Sequence, residues 1–145
     1  MNEIADYYIS KYGVPSRQAV FKSPDGREIE IYKWKAEQTD EGVTMYATLG
    51  ASNYLGNDRE GCEFFIGLTP EVDDIAEALA EVALHGVGSS KIPGYGDSIT
   101  MAYPLWKGTE AKSFLFTDGG EILEPLHLQE KIISFMQLVP LFDDE

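Results

Sequence analysis

The chain has 145 residues, 43% of them hydrophobic and 25% charged. That suits one globular domain with a full core and excludes a disordered or fibrous protein. Eleven Lys and Arg against 25 Asp and Glu leave a formal net charge of −14, a field that repels nucleic acid and anionic lipid and attracts basic partners.

Cys62 is the single cysteine, so no internal disulfide is possible. The opening Met-Asn-Glu-Ile-Ala-Asp has no basic region followed by an apolar run, and no secretory signal is read. No stretch approaches the ~18 apolar residues of a spanning helix. A cytoplasmic protein is expected, with neither nucleic acid nor membrane as partner. Solubility alone accounts for the acidity as well as a charge-selected partner does.

Residues 2–12 form a short predicted helix. Ile4, Tyr7, Tyr8 and Tyr12 recur at three- and four-residue steps, and Gly13 and Pro15 end it. The tyrosines are expected to pack against a sheet, because aromatics mostly carry core area. Val20 and Phe21 end a short strand. Ser23-Pro24-Asp25-Gly26 is a turn, with proline presetting φ and glycine taking positive φ. Residues 29–35 alternate, with Ile29 and Ile31 on one face and Tyr32 and Trp34 on the other. Lys33 and Lys35 continue the first face beyond the core. Residues 37–42 are a polar loop.

Residues 43–53 are the pivot. Val43, Met45, Ala47 and Leu49 fall on one side of an extended chain, and Thr44, Tyr46 and Thr48 on the other. A period of two marks a strand with one face buried, here an inner strand that runs into a turn at Gly50. A polar loop over 53–61 leads to a strand over 62–68. There Cys62, Phe64, Ile66 and Leu68 share a face opposite Phe65, so both sides are expected to be covered.

The clearest helix follows. Thr69 is the expected N-cap with Pro70 at the first helical position, and Glu71, Asp73 and Asp74 sit at the positive end of the dipole. Val72, Ile75, Ala76, Leu79, Val82 and Ala83 form the apolar stripe, His85 lies in the last turn and Gly86 supplies the stop. The outward face carries Asp73, Asp74, Glu77 and Glu81. Residues 87–98 are a loop rich in glycine and proline. A short strand over 99–103 ends at Pro104, and residues 113–117 form another. Asp118-Gly119-Gly120 is a turn able to close a hairpin onto residues 122–126. Residues 132–142 are the longest apolar run, a central strand whose pairing stops near Pro140.

The residues give little catalytic signal. His85 and His127 have no ligand spacing between them, and His85 is explained by the helix C-terminus. Gly86-Val-Gly88-Ser89-Ser90-Lys91 superficially resembles a phosphate loop but follows a helix instead of opening one. Cys62 sits in an apolar strand and reads as core. Asp97, beside Gly96, is the carboxylate to check for burial, although a turn role suits it better. Trp34, Trp106, Tyr54 and Tyr95 are aromatics near loops or strand ends, where interface anchors occur, and core packing explains each of them.

Tyr46-Ala-Thr48-Leu-Gly50-Ala-Ser52 resembles the aromatic-x-Thr-x-Gly-x-Ser segment of suppressor-of-fused-like domains. Gly61-Cys-Glu63-Phe64 is similar to that family's next strand. The helix over 72–83 and Gly94-Tyr-Gly96-Asp97-Ser98-Ile99 follow in the expected order. Phe135-Met-Gln137-Leu138-Val139-Pro140 resembles the terminal strand, with Glu145 as its following glutamate. A tryptophan expected near the helix start is missing. The resemblance runs from about Glu30 to the end and implies one domain over 1–145. It implies an α+β fold, with a mixed, mostly antiparallel sheet flanked by helices.

It also implies a protein-binding module without catalytic role or cofactor. Animal members restrain a transcription factor, and stand-alone bacterial members resemble immunity proteins that neutralise a cognate toxin. The length suits the bacterial kind. The Thr-x-Gly-x-Ser and Gln-x-x-Pro residues are read as defining the fold, not as contacts.

A basic toxin would be drawn to such an acidic chain. The expected contact residues are Asp73, Glu77 and Glu81 on the helix, with Asp58 and Glu60 on the loop, although each also reads as ordinary solvated surface. Two alternatives stand beside this: a scaffold capturing an extended peptide at a sheet edge, and an enzyme using the loop from Gly94 to Asp97. The partner's identity and the oligomeric state stay open.

Overall fold

Among the described residues, eight strands make one mixed sheet. The computed structural model describes residues 3–39, 42–69, 71–85 and 91–141. The strands are β1 (Arg17–Lys22), β2 (Glu28–Trp34), β3 (Thr44–Leu49), β4 (Glu60–Leu68), β5 (Ser98–Thr100), β6 (Ser113–Asp118), β7 (Leu126–His127) and β8 (Ile132–Leu141). Their order in the sheet is β1-β2-β3-β4-β8-β6-β5, with β7 added against β8. Only β4 and β8 run parallel, with Gly61 opposite Ile133 and Phe65 opposite Gln137; every other pairing is antiparallel. The expected α+β fold with a mixed, mostly antiparallel sheet is what the chain forms.

One helix covers each face of the sheet. α1 (Glu3–Tyr12) lays Ile4, Tyr8 and Tyr12 onto Tyr32, Trp34, Met45, Ala47, Phe65 and Phe135. The Tyr8 hydroxyl reaches the Thr48 carbonyl at 2.7 Å, and the Trp34 indole N–H donates to the Gly13 carbonyl at 2.8 Å. α2 (Ile75–His85) puts Ile75, Leu79, Val82 and Ala83 against Ile31, Tyr46, Phe64, Phe116 and Leu138. Full burial of such a side chain contributes about 1.5–3 kcal/mol, so these two apolar layers carry most of the favourable free energy.

The covering helices change the expectation for the pivotal strand. All six residues of β3 are buried, not one face only, because the strand lies between β2 and β4 with α1 on one side and α2 on the other. The alternation still sorts its side chains: Met45, Ala47 and Leu49 join the α1 layer and Tyr46 joins the α2 layer.

Three further expectations are corrected. The second helix begins at Ile75, not near Thr69, because residues 71–74 are tied to the sheet. The Val72 N–H donates to the Tyr46 hydroxyl at 3.1 Å, and Asp73 is held by Lys33 and Arg17. Asp118-Gly119-Gly120 closes no hairpin. Both sides of β6 are already paired, to β5 and β8, and the chain instead turns helically, with Ile122 and Leu123 N–H groups donating to the Gly119 carbonyl. The strand expected over 99–103 is the shorter Ser98–Thr100, whose ladder is extended by a single in-register bond from the Met101 N–H to the Lys112 carbonyl at 2.7 Å. Pairing along β8 reaches Leu141, next to Pro140, as expected. Pro70, Gly86 and Glu145, expected as helix start, helix stop and closing glutamate, lie outside the described residues, as does most of the 86–91 segment.

Candidate functional site

Among the described residues, two charged clusters, each centred on a buried ionisable side chain, and a surface groove stand out. The first cluster centres on Glu63, in the middle of β4 on the α1 side and wholly buried. Thr48 Oγ1 donates to its Oε1 at 2.7 Å and the Ala51 N–H at 3.0 Å. Oε2 accepts from the Gly50 N–H at 3.2 Å, the Ser52 N–H at 3.1 Å and Ser52 Oγ at 2.8 Å. Gly50 has φ +119°, a conformation that side chains disfavour, and this lets three successive backbone N–H groups converge on one carboxylate. Burial pushes the Glu63 carboxyl up, and the donors from Thr48, Ser52 and Gly50 offset only part of that rise. Five donors surrounding the two oxygens are the surroundings of an anion.

The Thr-x-Gly-x-Ser pattern is therefore a cage for a glutamate of the same chain. Its hydroxyls and amides point inward at Glu63 and not at solvent, so the pattern builds the fold as expected. The aromatic at its head works elsewhere, since Tyr46 donates to Asp73 at 2.8 Å. The signal for the cage lay in the sequence as an ionisable residue in the middle of an apolar strand.

The second cluster lies under α2. Lys33 is buried and contacts both Glu71 and Asp73, at 2.6 Å in the latter case, while Arg17 reaches Asp73 at 3.0 Å. Lys33 was expected beyond the core; the turn at 71–74 folds over it and supplies its counter-charges. Burial pulls the Lys33 ammonium down, but Asp73 and Glu71 more than offset this and leave it raised. The Lys33 hydrogen bond in turn lowers Asp73. Desolvation and the Asp73 hydrogen bond raise the Tyr46 hydroxyl.

The groove runs between α2 and residues 101–108, with a volume of about 560 Å³. Asp74, Glu77 and Glu81 line one wall; Met101, Tyr103 and Trp106 line the other. Of the five expected contact residues, the structure brings Glu77 and Glu81 together here. Asp73 is engaged by Lys33, Arg17 and Tyr46 beneath α2. Asp58, on the turn before β4, and Glu60, the first residue of β4, are exposed and do not line the groove. The tyrosine at 103 escaped sequence reasoning, since nothing in the local pattern separates an exposed aromatic from a buried one.

Asp97 is exposed and accepts the Gly94 N–H at 2.8 Å, which is the turn role. The buried carboxylate is Glu63 instead. Cys62 is fully buried, and burial pushes its thiol up to about 12, which makes it a core residue. Trp34 is also core, whereas Tyr95 is 59% exposed. Among the described residues, no group of three or more His, Cys, Asp or Glu is placed to hold a metal ion. Nor is any helix there long and apolar enough to cross a membrane.

Fold and site together define a class: a single-domain α+β protein with an open mixed sheet that carries a caged, buried glutamate on an inner strand. The chain belongs to the Suppressor of fused (SUFU) family, whose model matches residues 25–145. Three solved structures carry the likeness across α1 and β1 as well. A chain of the Sufu–Fu complex is 18% identical with TM-score 0.70, over 97% of this chain and 75% of that one. A SUFU homologue from Neisseria gonorrhoeae is 18% identical with TM-score 0.66, over 96% and 75%. Drosophila Suppressor of Fused is 17% identical with TM-score 0.68, over 97% of this chain but 41% of that one. No curated protein sequence matches at a significant level.

Proposed function

We propose that the chain is a single SUFU domain over residues 1–145 that acts as a cytoplasmic protein-binding module without catalytic activity. More finely, we read it as an immunity protein that binds and neutralises a cognate toxin. Family membership is the observation that carries the binding reading, and the occurrence of the same fold in a Sufu–Fu complex supports it. The net charge of −14 and the exposed Glu77 and Glu81 favour a basic toxin, because complementary fields speed encounter and fix register.

Co-expression with the product of the neighbouring gene tests the immunity reading, with growth and pull-down scored together. Rescue of growth with a stable complex is expected. A harmless neighbour that does not bind removes the immunity role.

A second reading, capture of an extended peptide, is favoured by β1. It ends the sheet, is mostly exposed, and adjoins a cavity of about 180 Å³ lined by Arg17, Phe21, Ile31 and Ala76. The other sheet end, β5, is only three residues long and offers little to pair with. Salt separates the two readings. Toxin binding by charge weakens steeply between low and physiological salt, whereas main-chain pairing changes little.

A further inference from the structure

We infer that the groove between α2 and residues 101–108 docks an arginine-bearing segment of a protein partner. This deepens the binding reading above and rests on it. The two walls differ in chemistry. Glu77 and Glu81 are exposed and four residues apart, so their carboxylates share one face of α2, ~6 Å apart along its axis. Among the described residues neither side chain makes an ion pair or hydrogen bond. Opposite them stand Met101, Tyr103 and Trp106, with Tyr103 74% exposed, and Lys107 as the one cation of a lining that holds three carboxylates.

The apolar wall is a built surface and not a loose loop. Leu105 is buried as its anchor, and the Leu105 N–H donates to the Ala111 carbonyl at 2.9 Å. The Lys107 N–H donates to the Asp74 carboxylate at 3.1 Å, which ties this segment directly to α2. Asp74 thus positions the wall, and Glu77 and Glu81 are left to face an occupant.

An arginine answers both walls at once. Its guanidinium pairs bidentately with a carboxylate and stacks on an aromatic ring, which a lysine ammonium does less well. Two arginines on the same side of an extended segment are ~6.6 Å apart, close to the separation of the glutamates along the helix. The acidity of the whole chain draws such a segment in, and the groove sets its register.

The test uses a fluorescein-labelled Arg-Ser-Arg-Leu-Arg peptide and its Lys-for-Arg counterpart, titrated against the full chain by fluorescence anisotropy at low salt. Saturable binding is expected, with the arginine peptide at least about threefold tighter. Glu77→Lys/Glu81→Lys should weaken it roughly tenfold, and Tyr103→Ser several-fold. Asp6→Lys/Glu130→Lys makes the same change in net charge at exposed positions outside the groove, and should stay within about twofold. Urea midpoints of all variants check that each is folded.

Equal weakening by the two charge reversals, or equal binding of the two peptides with Tyr103→Ser silent, overturns the inference in favour of a diffuse acidic field. A neighbouring gene product that binds the groove variants as well as it binds the natural chain also overturns it, while leaving the immunity reading in place. Saturable peptide binding that follows the groove variants, beside a neighbour that does not bind, supports the groove and removes the immunity role.

Discussion

Replacing Glu63 with glutamine tests whether the caged carboxylate holds the inner strands together. The substitution preserves shape and changes only what the donors meet. A glutamine offers one carbonyl oxygen and one NH2 group. With the NH2 at the Oε1 position, the Thr48 hydroxyl can turn to accept, but the Ala51 N–H is left facing another donor. With the NH2 at Oε2, both the Gly50 and Ser52 N–H groups are opposed. The first arrangement is the cheaper, and one orphaned buried donor costs about 1–3 kcal/mol. The surviving hydrogen bonds also lose their charge assistance, which roughly halves their strength. Relief of burying a charge offsets part of this.

The expected net loss is about 2–4 kcal/mol. With a urea slope of ~2 kcal/mol/M, the unfolding midpoint should fall by about 1–2 M. Equilibrium unfolding followed by tryptophan fluorescence reads it, since Trp34 is fully buried and becomes exposed. Thr48→Val extends the test to a double-mutant cycle. It removes one Glu63 donor and the acceptor of the Phe64 N–H, so coupling with Glu63→Gln should exceed about 1 kcal/mol. A midpoint shift under about 0.3 M, or additive losses, would refute the cage as a stabilising device.

Lys33→Met removes the buried cation and leaves Asp73 and Glu71 facing each other across the turn before α2. A loss of about 1–2 kcal/mol is expected, below the usual figure for breaking a buried pair because both carboxylates are about half exposed. The pH dependence has a definite sign. Asp73 is lowered in the folded chain, so its contribution is present above about pH 4 and lost as pH falls through its folded value. Lys33 is raised, so its contribution is present below about pH 10 and lost as pH rises through its folded value. Lys33→Met should therefore narrow its gap to the natural chain at both ends of a pH series of urea midpoints; a gap that is flat with pH would count against the pair. Cys62 should resist a thiol reagent at about pH 8 in the folded chain and react stoichiometrically in denaturing urea, because only unfolding restores an ordinary thiol. Rapid labelling of the folded chain would contradict its place in the core.

The sequence by itself determined the inner strands β2, β3 and β4 and the sides they present. Alternation over residues 29–35, 43–49 and 62–68 sorted Ile29 and Ile31 from Tyr32 and Trp34, and Phe64 from Phe65, onto the faces that the two helices cover. Those assignments are local, set by the two-residue period of an extended chain. Three-residue and four-residue spacing did the same for Tyr8 and Tyr12 of α1 and for Leu79 and Ala83 of α2. The acidic stripe of Glu77 and Glu81 follows from the same periodicity.

Tertiary structure alone decided what those faces meet. Lys33 looked like a surface lysine until the turn at 71–74 closed over it, a contact across some forty residues of chain. Asp118-Gly119-Gly120 had the chemistry of a hairpin, but the strand before it already had neighbours on both sides. The helix start moved from Thr69 to Ile75 because long-range bonds from Tyr46 and Lys33 outweighed a local capping preference of about 1 kcal/mol. Glu63 and the groove wall at Tyr103 share that reason. Burial and exposure are properties of the assembled layers, and the same residue in the same local pattern takes either one.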